Sequence, residues 1–353
     1  MKCERIALLD AVNTVKPALA VKDLIEELAH VWFDGQTMTA YNDADLGIQV
    51  PFETPFIGGI RGSLLLGLLI NSRAKDVELD DSEEGHMKIV AARTRAKLAV
   101  LDAERAVWQF PEINRKAALD ITPDFVRALK AVLVSVGNDT SIPEKLGVTL
   151  LADDELRMFT TDSKAICGVS VAMPKGKGLR KGDSIILPTA FCEQILRLCA
   201  AGGFLELRKD CAIAGNASGV LVYARLVDVT KPLPFVETID RHNKFPKGAR
   251  FEIPSKLALA LERSIVLLEG LVGETVNISA MAGKLRLEAS AEGRGTIKDF
   301  ITLPEGVPDI EINVDPSLVK RALVLATHMA INSDAVVLTG DDGLVYLAST
   351  GAV

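Results

Sequence analysis

The sequence predicts an α+β protein in which one domain recurs three times in tandem, each copy packing two helices on antiparallel strands. Three observations lead there. Segments with helical periodicity fall in pairs, alternating β-branched runs follow them, and the pattern returns every roughly 110 to 130 residues, too long for a solenoid and suited to a duplicated domain. At 353 residues the chain is also too long for one ordinary core.

The first helical pair is Arg5 to Val15, with Leu8, Val12 and Val15 on one side and Asp10, Asn13 and Thr14 on another, and Gly62 to Ser72, mostly leucine and therefore largely buried. The second opens at Thr122-Pro123-Asp124, an N-cap before a proline at the first helical position, and runs through Phe125, Leu129, Val132 and Val136 to Gly137. Its partner runs from Thr189 through Ile195 and Leu198 to Gly202. The third pair is Ser255 to Glu269 and Asp315-Pro316 through Met329. The openings Thr122-Pro123-Asp124-Phe125 and Asp315-Pro316-Ser317-Leu318 echo one another.

Shortly after the first helix of each pair comes a turn and then an alternating run, the signature of a strand. Gln36 to Tyr41 follows Asp34-Gly35, Glu155 to Thr161 follows Asp153-Asp154, and Lys284 to Ala289 follows Gly283. Polar stretches broken by proline near Pro111 to Arg115 and near Asp240 to Pro246 read as linkers, which places the domains at 1–114, 115–242 and 243–353. The acidic run Asp80, Asp81, Glu83 and Glu84 reads as a solvated hairpin turn.

Composition narrows the function. No stretch approaches the roughly 20 apolar residues that span a bilayer, and Met1-Lys2-Cys3-Glu4-Arg5-Ile6 does not read as a signal peptide, so a cytosolic protein without a membrane partner is expected. Cys3, Cys167, Cys192, Cys199 and Cys211 are scattered, odd in number and never at metal or redox spacing, as expected of buried thiols without a special role. The net charge of -7 argues against a basic coat but leaves room for positive potential on one wall.

Chemistry is hard to find. His30, His86, His242 and His328 have no second histidine or cysteine at ligand spacing, and there is no nucleophile elbow, dinucleotide fingerprint or Walker loop. The basic run Pro174 to Asp183, with Lys175, Lys177, Arg180 and Lys181, reads as a hairpin loop, with a DNA-backbone contact as the alternative. Asp43 and Asp45 lack a third ligand and sit where a strand turns, a place that favours aspartate. No catalytic residue, metal or cofactor is expected.

The order of these elements resembles the bacterial DNA polymerase III beta subunit, the DNA sliding clamp family, over nearly the whole chain. The resemblance is carried by Gln36 through Tyr41-Asn42-Asp43-Ala44-Asp45-Leu46-Gly47-Ile48, by Arg61-Gly62-Ser63-Leu64-Leu65, and by Met87-Lys88-Ile89-Val90 to Leu98 closed by Phe110-Pro111-Glu112-Ile113. Phe159-Thr160-Thr161-Asp162-Ser163-Lys164-Ala165-Ile166 is similar to the family's Ala-Thr-Asp-Gly-His-Arg-Leu stretch. Tyr223 to Asp228, Leu261 to Leu268 and Ile312-Asn313-Val314 fall in the family's places. Ser163, Lys164 and Ala165 stand where the family has Gly, His and Arg, and the tail Val345 to Val353 lacks the usual Pro-Met-Arg-Leu ending.

The resemblance implies a replication processivity factor: three clamp domains forming half a ring, two subunits joined head to tail, and helices lining a hole that holds duplex DNA. DNA would be met through phosphates without sequence readout, at Arg127, Lys130, Arg197, Lys256, Lys320 and Arg321. A DNA polymerase and a clamp loader would dock peptides in a cleft formed by Leu146, Thr161, Ser163, Ile166, Asn313, Val345, Tyr346 and Leu347. Val266 and Leu267 would sit at the subunit contact. For each of these residues an ordinary surface or core role is the competing reading. Two whole-protein alternatives remain open: a monomeric clamp-like scaffold that does not encircle DNA, and a small-molecule enzyme using Asp43 and Asp45 or the basic loop.

Overall fold

A computed structural model describes residues 1–22, 24–137, 139, 141–176, 178–228, 233–242, 249–271 and 273–349, without the side chain of residue 242. Lys177 of the basic loop, most of the second linker and the last four residues of the tail therefore lie outside the described residues, as does the His242 side chain.

One order of elements recurs three times, a strand, a helix, four strands, a helix and three strands. The first copy is β1 (Lys2–Glu4), α1 (Arg5–Val15), β2 (His30–Asp34), β3 (Thr37–Tyr41), β4 (Leu46–Pro51), β5 (Ile57–Arg61), α2 (Gly62–Asn71), β6 (Asp76–Glu83), β7 (His86–Ala91) and β8 (Thr94–Leu101). The second is β9 (Leu119–Ile121), α3 (Pro123–Val132), β10 (Gly147–Ala152), β11 (Glu155–Thr161), β12 (Ala165–Ala172), β13 (Ser184–Pro188), α4 (Thr189–Leu198), β14 (Gly203–Leu207), β15 (Cys211–Gly215) and β16 (Leu221–Arg225). A further helix, α5 (Phe235–His242), precedes the third: β17 (Arg250–Glu252), α6 (Leu257–Leu268), β18 (Val276–Met281), β19 (Lys284–Ala291), β20 (Gly295–Thr302), β21 (Ile310–Val314), α7 (Pro316–Ala322), β22 (His328–Ile331), β23 (Ala335–Thr339) and β24 (Val345–Ser349).

Alternation sets the strands' faces. Along β7, Met87, Ile89 and Ala91 are buried while His86, Lys88 and Val90 are only half-covered, the period-2 pattern of a sheet with one side on a core. All pairings are antiparallel, in sheets ordered β1-β6-β7-β8-β5-β2-β3-β4-β16-β15-β14-β9, β13-β10-β11-β12-β24-β23-β22-β17 and β20-β19-β18-β21. Helix α1 packs on α2, β3 and β4, and α6 packs on α7, β19 and β20.

Contacts divide the chain into two compact units, and the division runs through the second copy. One unit holds Met1–Pro123, Lys175–Leu179 and Ala190–Leu226, with the twelve-stranded sheet; the other holds Asp124–Pro174, Arg180–Thr189 and Val227–Val353, with the remaining two sheets. Hydrogen bonding explains the division, since β16 pairs with β4 of the first copy and β12 pairs with β24 of the third.

Three expectations need correction. The helix expected from Asp315 to Met329 stops at Ala322, because Met329, Ala330 and Ile331 pair with Leu338, Val337 and Val336 of β23, and a central place in a sheet outweighs a helical pattern. Its start is as expected, with Pro316 at the first position and Asp315 Oδ1 accepting the Ser317 N–H at 2.8 Å. Helix α5 has no counterpart among the expected helices, and its last residues overlap the stretch expected to be the second linker. The acidic run is mostly the end of β6, bulged between Asp80 and Glu83, with the turn itself at Glu84 and Gly85.

Candidate functional site

The candidate site lies in the second unit, at the turn between β11 and β12. Asp162 makes the turn, its Oδ1 accepting the N–H groups of Lys164 at 3.0 Å and Ala165 at 2.8 Å. Ser163 has a φ of +80°, a left-handed conformation that glycine adopts without strain. Thr161 braces the turn from inside, donating to the Ala165 carbonyl at 2.7 Å and accepting from the Ser163 N–H at 3.1 Å.

Beneath the turn is an apolar floor of Phe159, Ile166, Ala335, Val337 and Leu347, onto which α5 sets Phe235 and Ile239, four residues apart and so on one face. Phe235 stacks on Phe159 with ring centres 5.2 Å apart and planes 4° off parallel. Gly168 of β12 permits this approach, since a Cβ there would stand 3.0 Å from both Ile239 Cδ1 and the Phe159 ring. Between α5 and the turn remains a cavity of about 200 Å³, lined by Ile142, Lys145, Thr161, Ile166 and the start of α5 from Leu233 to Phe235, with Thr238. The Lys145 ammonium donates to Ser163 Oγ at its edge.

Of the residues expected in the cleft, Thr161 and Ile166 line this cavity, Ser163 is at its edge through Lys145, and Leu347 and half-buried Val345 lie in the apolar cluster below. Leu146 is half-buried and does not line it; its carbonyl accepts the Thr189 hydroxyl at 2.7 Å. Two further residues lie away from the cavity lining. Asn313 is exposed on β21, where Asn277 donates to it at 3.1 Å, away from the cavity lining. Tyr346 is fully buried, because alternation along β24 turns it away from Leu347's face. Its hydroxyl donates to the Leu318 carbonyl of α7 at 2.8 Å, and burial raises the phenol well above its ordinary pKa, which keeps it a neutral donor. Missed were Ile142, Lys145, Leu233, Pro234, Phe235 and Thr238; the apolar spacing of Phe235, Val236 and Ile239 after a proline was the signal available.

The expected DNA-facing cations differ in what they touch. Lys130 on α3 and Lys256 just before α6 are exposed and have no ion-pair partner among the described residues. Arg127 is exposed, with Asp124 at 2.9 Å and Asp342 at 3.7 Å. Lys320 on α7 pairs with Glu262 of α6 at 3.0 Å. Arg197 donates to the Asn13 and Thr14 carbonyls at 3.3 and 2.6 Å, closing the C-terminal end of α1. Arg321 differs from the others: its guanidinium turns inward, donating to Tyr346 Oη at 2.8 Å and pairing with Asp162. In the basic loop, Lys181 pairs with Asp153 and Asp154, and Arg180 closes a turn with Asp183.

In the first copy the helix pair offers little charge. Arg5 reaches back to the Ala74 and Leu69 carbonyls at 2.9 and 3.0 Å, capping the end of α2, while Ile6, Leu64 and Ile70 are exposed. At the end of α6, Val266 is 70% exposed and Leu267 half-exposed. Asp43 and Asp45 sit in the turn before β4, and among the described residues no three His, Cys, Asp or Glu side chains gather as metal ligands. Cys167, Cys192, Cys199 and Cys211 are buried and Cys3 is half-buried. No described helix is long and apolar enough to cross a membrane.

No family model and no curated protein matches the sequence. Solved structures do match along the full length. A putative DNA polymerase III beta subunit from Eubacterium rectale aligns with a TM-score of 0.85 at 15% identity, over 99% of this chain and 98% of its own. The DNA polymerase sliding clamp of Bacillus subtilis aligns at 0.84 and 16%, over 99% and 97%. A sliding clamp, DNA polymerase III subunit beta, from Bartonella birtlesii bound to griselimycin aligns at 0.85 and 16%, over 99% and 98%. The fold is thus that of the bacterial beta clamps, an α+β architecture in which one order of elements recurs three times, carried on a sequence only 15–16% identical to those named here.

Proposed function

We propose that this chain is a DNA sliding clamp, a non-catalytic processivity factor that closes around duplex DNA as a head-to-tail dimer and holds a polymerase and a clamp loader by their peptides. The observation that carries the reading is a pairing rule inside the chain. Strands β4, β12 and β20 hold the same place in the three copies, as do β8, β16 and β24. Copy one joins copy two by β4 with β16, and copy two joins copy three by β12 with β24. That leaves β20 and β8. The first is a sheet edge, and the second meets β5 only at Val100 and Leu101.

Open strand edges invite pairing with another chain, and one second copy satisfies both edges by the rule already used twice. Val266 on the helix above β20, and Phe300 on β20 itself, 62% exposed, supply apolar surface for that seam. Two seams close a ring of six domains. Helices would then face the hole, where Lys130 and Lys256 keep unpaired charge for phosphates.

One observation favours the competing reading of a monomeric scaffold that does not encircle DNA. The first copy's helix pair presents Ile6, Leu64 and Ile70 in place of lysines, and Arg127, Lys320 and Arg321 all have carboxylate partners. Solution mass at micromolar concentration by light scattering separates the two. The clamp reading expects a dimer that falls to a folded monomer when Val266 and Leu267 are both changed to glutamate, and retention of the wild-type protein on closed circular DNA once loaded. A wild-type monomer would remove the ring and leave the scaffold.

A further inference from the structure

We infer that Arg294 makes the end of α6 an apolar seat for Ile70 of the partner subunit, by supplying from within the chain the guanidinium that a neighbouring helix supplies at the end of α1. The role rests on the head-to-tail dimer proposed above and assigns two residues that decide what its seam accepts.

The last carbonyls of a helix have no partner inside it and carry partial negative charge. Neither α1 nor α6 has a basic residue in its last turn. At α1 the need is met from the second copy. Arg197, the ninth residue of α4, reaches the carbonyls of Asn13 and Thr14, the third- and second-last residues of α1. At α6 it is met by the β19–β20 turn, where Arg294 donates to the Leu267 carbonyl at 3.2 Å and the Glu269 carbonyl at 2.6 Å. The turn is shaped to aim this side chain. Gly293 and Gly295 flank the arginine at φ of +74° and +110°, conformations that glycine adopts without strain, and the Arg294 N–H closes on the Ala291 carbonyl at 3.1 Å. Arg263 adds a second tie from α6 to β20 through Asp299.

Helix α2 of the first copy holds the place of α4 in the second and has the same length. Its ninth residue is Ile70, 58% exposed. The third- and second-last residues of α6 are Val266, 70% exposed, and Leu267, half-exposed. A dimer built by the rule that joins copy one to copy two therefore sets Ile70 of the partner subunit where Arg197 stands, over Val266 and Leu267. Arg294 already takes the Leu267 carbonyl, the counterpart of one that Arg197 takes. An arginine arriving from the partner would lose water for little return, whereas isoleucine gains by leaving water. Helix α7 ends at its seventh residue, so the second junction has no ninth position to compare.

The test moves the guanidinium from one subunit to the other. The dimer dissociation constant is read by sedimentation velocity for wild type, Ile70→Arg, Arg294→Met and the double variant; both side chains are exposed, so the variants should fold. Ile70→Arg should weaken the dimer about tenfold, and Arg294→Met about three- to tenfold. In the double variant the partner's arginine finds the carbonyls that Arg294 has left, so the combined loss should be at least about tenfold smaller than the product of the two. A merely structural role for Arg294 gives losses that multiply, because an arginine on another subunit does not mend a fold. Multiplied losses, or a dimer that Ile70→Arg does not weaken, would overturn the roles of Arg294 and Ile70 and leave the ring standing. A wild type that stays monomeric would overturn the ring, and these roles with it.

Discussion

Arg321 has one role by its place in the sequence and another by its surroundings, and replacing it by methionine separates them. Methionine keeps the length of the side chain and removes the guanidinium. That leaves Asp162 with two backbone donors but no cation, and leaves Tyr346 Oη without the donor it now accepts from at 2.8 Å. The Arg321 and Asp162 side chains are 30% and 19% exposed. Truncating one member of a fully buried pair costs about 3–5 kcal/mol, and surface pairs are worth about 0–1 kcal/mol. This pair falls between, at about 2 kcal/mol. With about 2–4 °C per kcal/mol for a unit of this size, thermal unfolding should fall by about 4–8 °C. Asp162→Asn in the same chain should recover part of the loss, because it removes the uncompensated charge. The companion assay is duplex affinity against salt concentration. A residue that contacts phosphate contributes a slope of about 0.9 in log K against log salt, so Arg321→Met should leave the slope unchanged while Lys130→Gln lowers it. An unchanged melting temperature together with a slope lowered by about one would refute the inward, structural role.

Two further outcomes follow from packing and hydrogen bonding. Tyr41, Gly47 and Tyr223 form a row across β3, β4 and β16, and the Trp108 ring fills the glycine's place, stacked on Tyr41 at 4.5 Å; a Cβ on Gly47 would come within 2.5 Å of it. Gly47→Ala should therefore cost about 1–3 kcal/mol and shift the Trp108 emission to the red in a Trp32→Phe background, and should cost almost nothing in a chain that already carries Trp108→Ala; additive losses would show that the two residues do not meet. At Asp34, burial alone would raise the carboxyl pKa, but the Thr37 hydroxyl and the Gln36 and Thr37 N–H groups outweigh it and hold it below the ordinary value. The stabilisation is full above the unfolded pKa of about 4 and is lost as pH falls through the lower folded value, so wild type should lose its margin over Asp34→Asn on acidification below about pH 4; a margin constant down to pH 2 would contradict it.

Local pattern carried the architecture well where it was regular. Helix α1 runs from Arg5 to Val15 and β11 from Glu155 to Thr161, as their periodicities indicate, because one amphipathic face and strict alternation each admit a single arrangement on a core. It failed where a distant partner decides. Met329 to Ile331 looks helical until β23 lies beside it, and α5 carries a short apolar spacing at Phe235, Val236 and Ile239 but gains its place from the face it buries on Phe159 and Leu347. In the cleft, Thr161 and Ile166 were reachable because they flank a turn with its own signature, Asp162 followed by a left-handed residue. Lys145 and Leu233 come from segments far from that turn in sequence.

Sequence by itself determined the threefold order of helices and strands, the placement of charge and apolar residues along them, and the scattered, buried thiols, since all of these depend on spacing over a few residues. Tertiary structure decided which charges remain available. Lysines and arginines look alike in a sequence, but Arg321 meets Asp162 from 159 positions away while Lys130 meets no carboxylate among the described residues. Such partners are set by the pairing of β12 with β24, a long-range hydrogen-bonded register that no local pattern encodes.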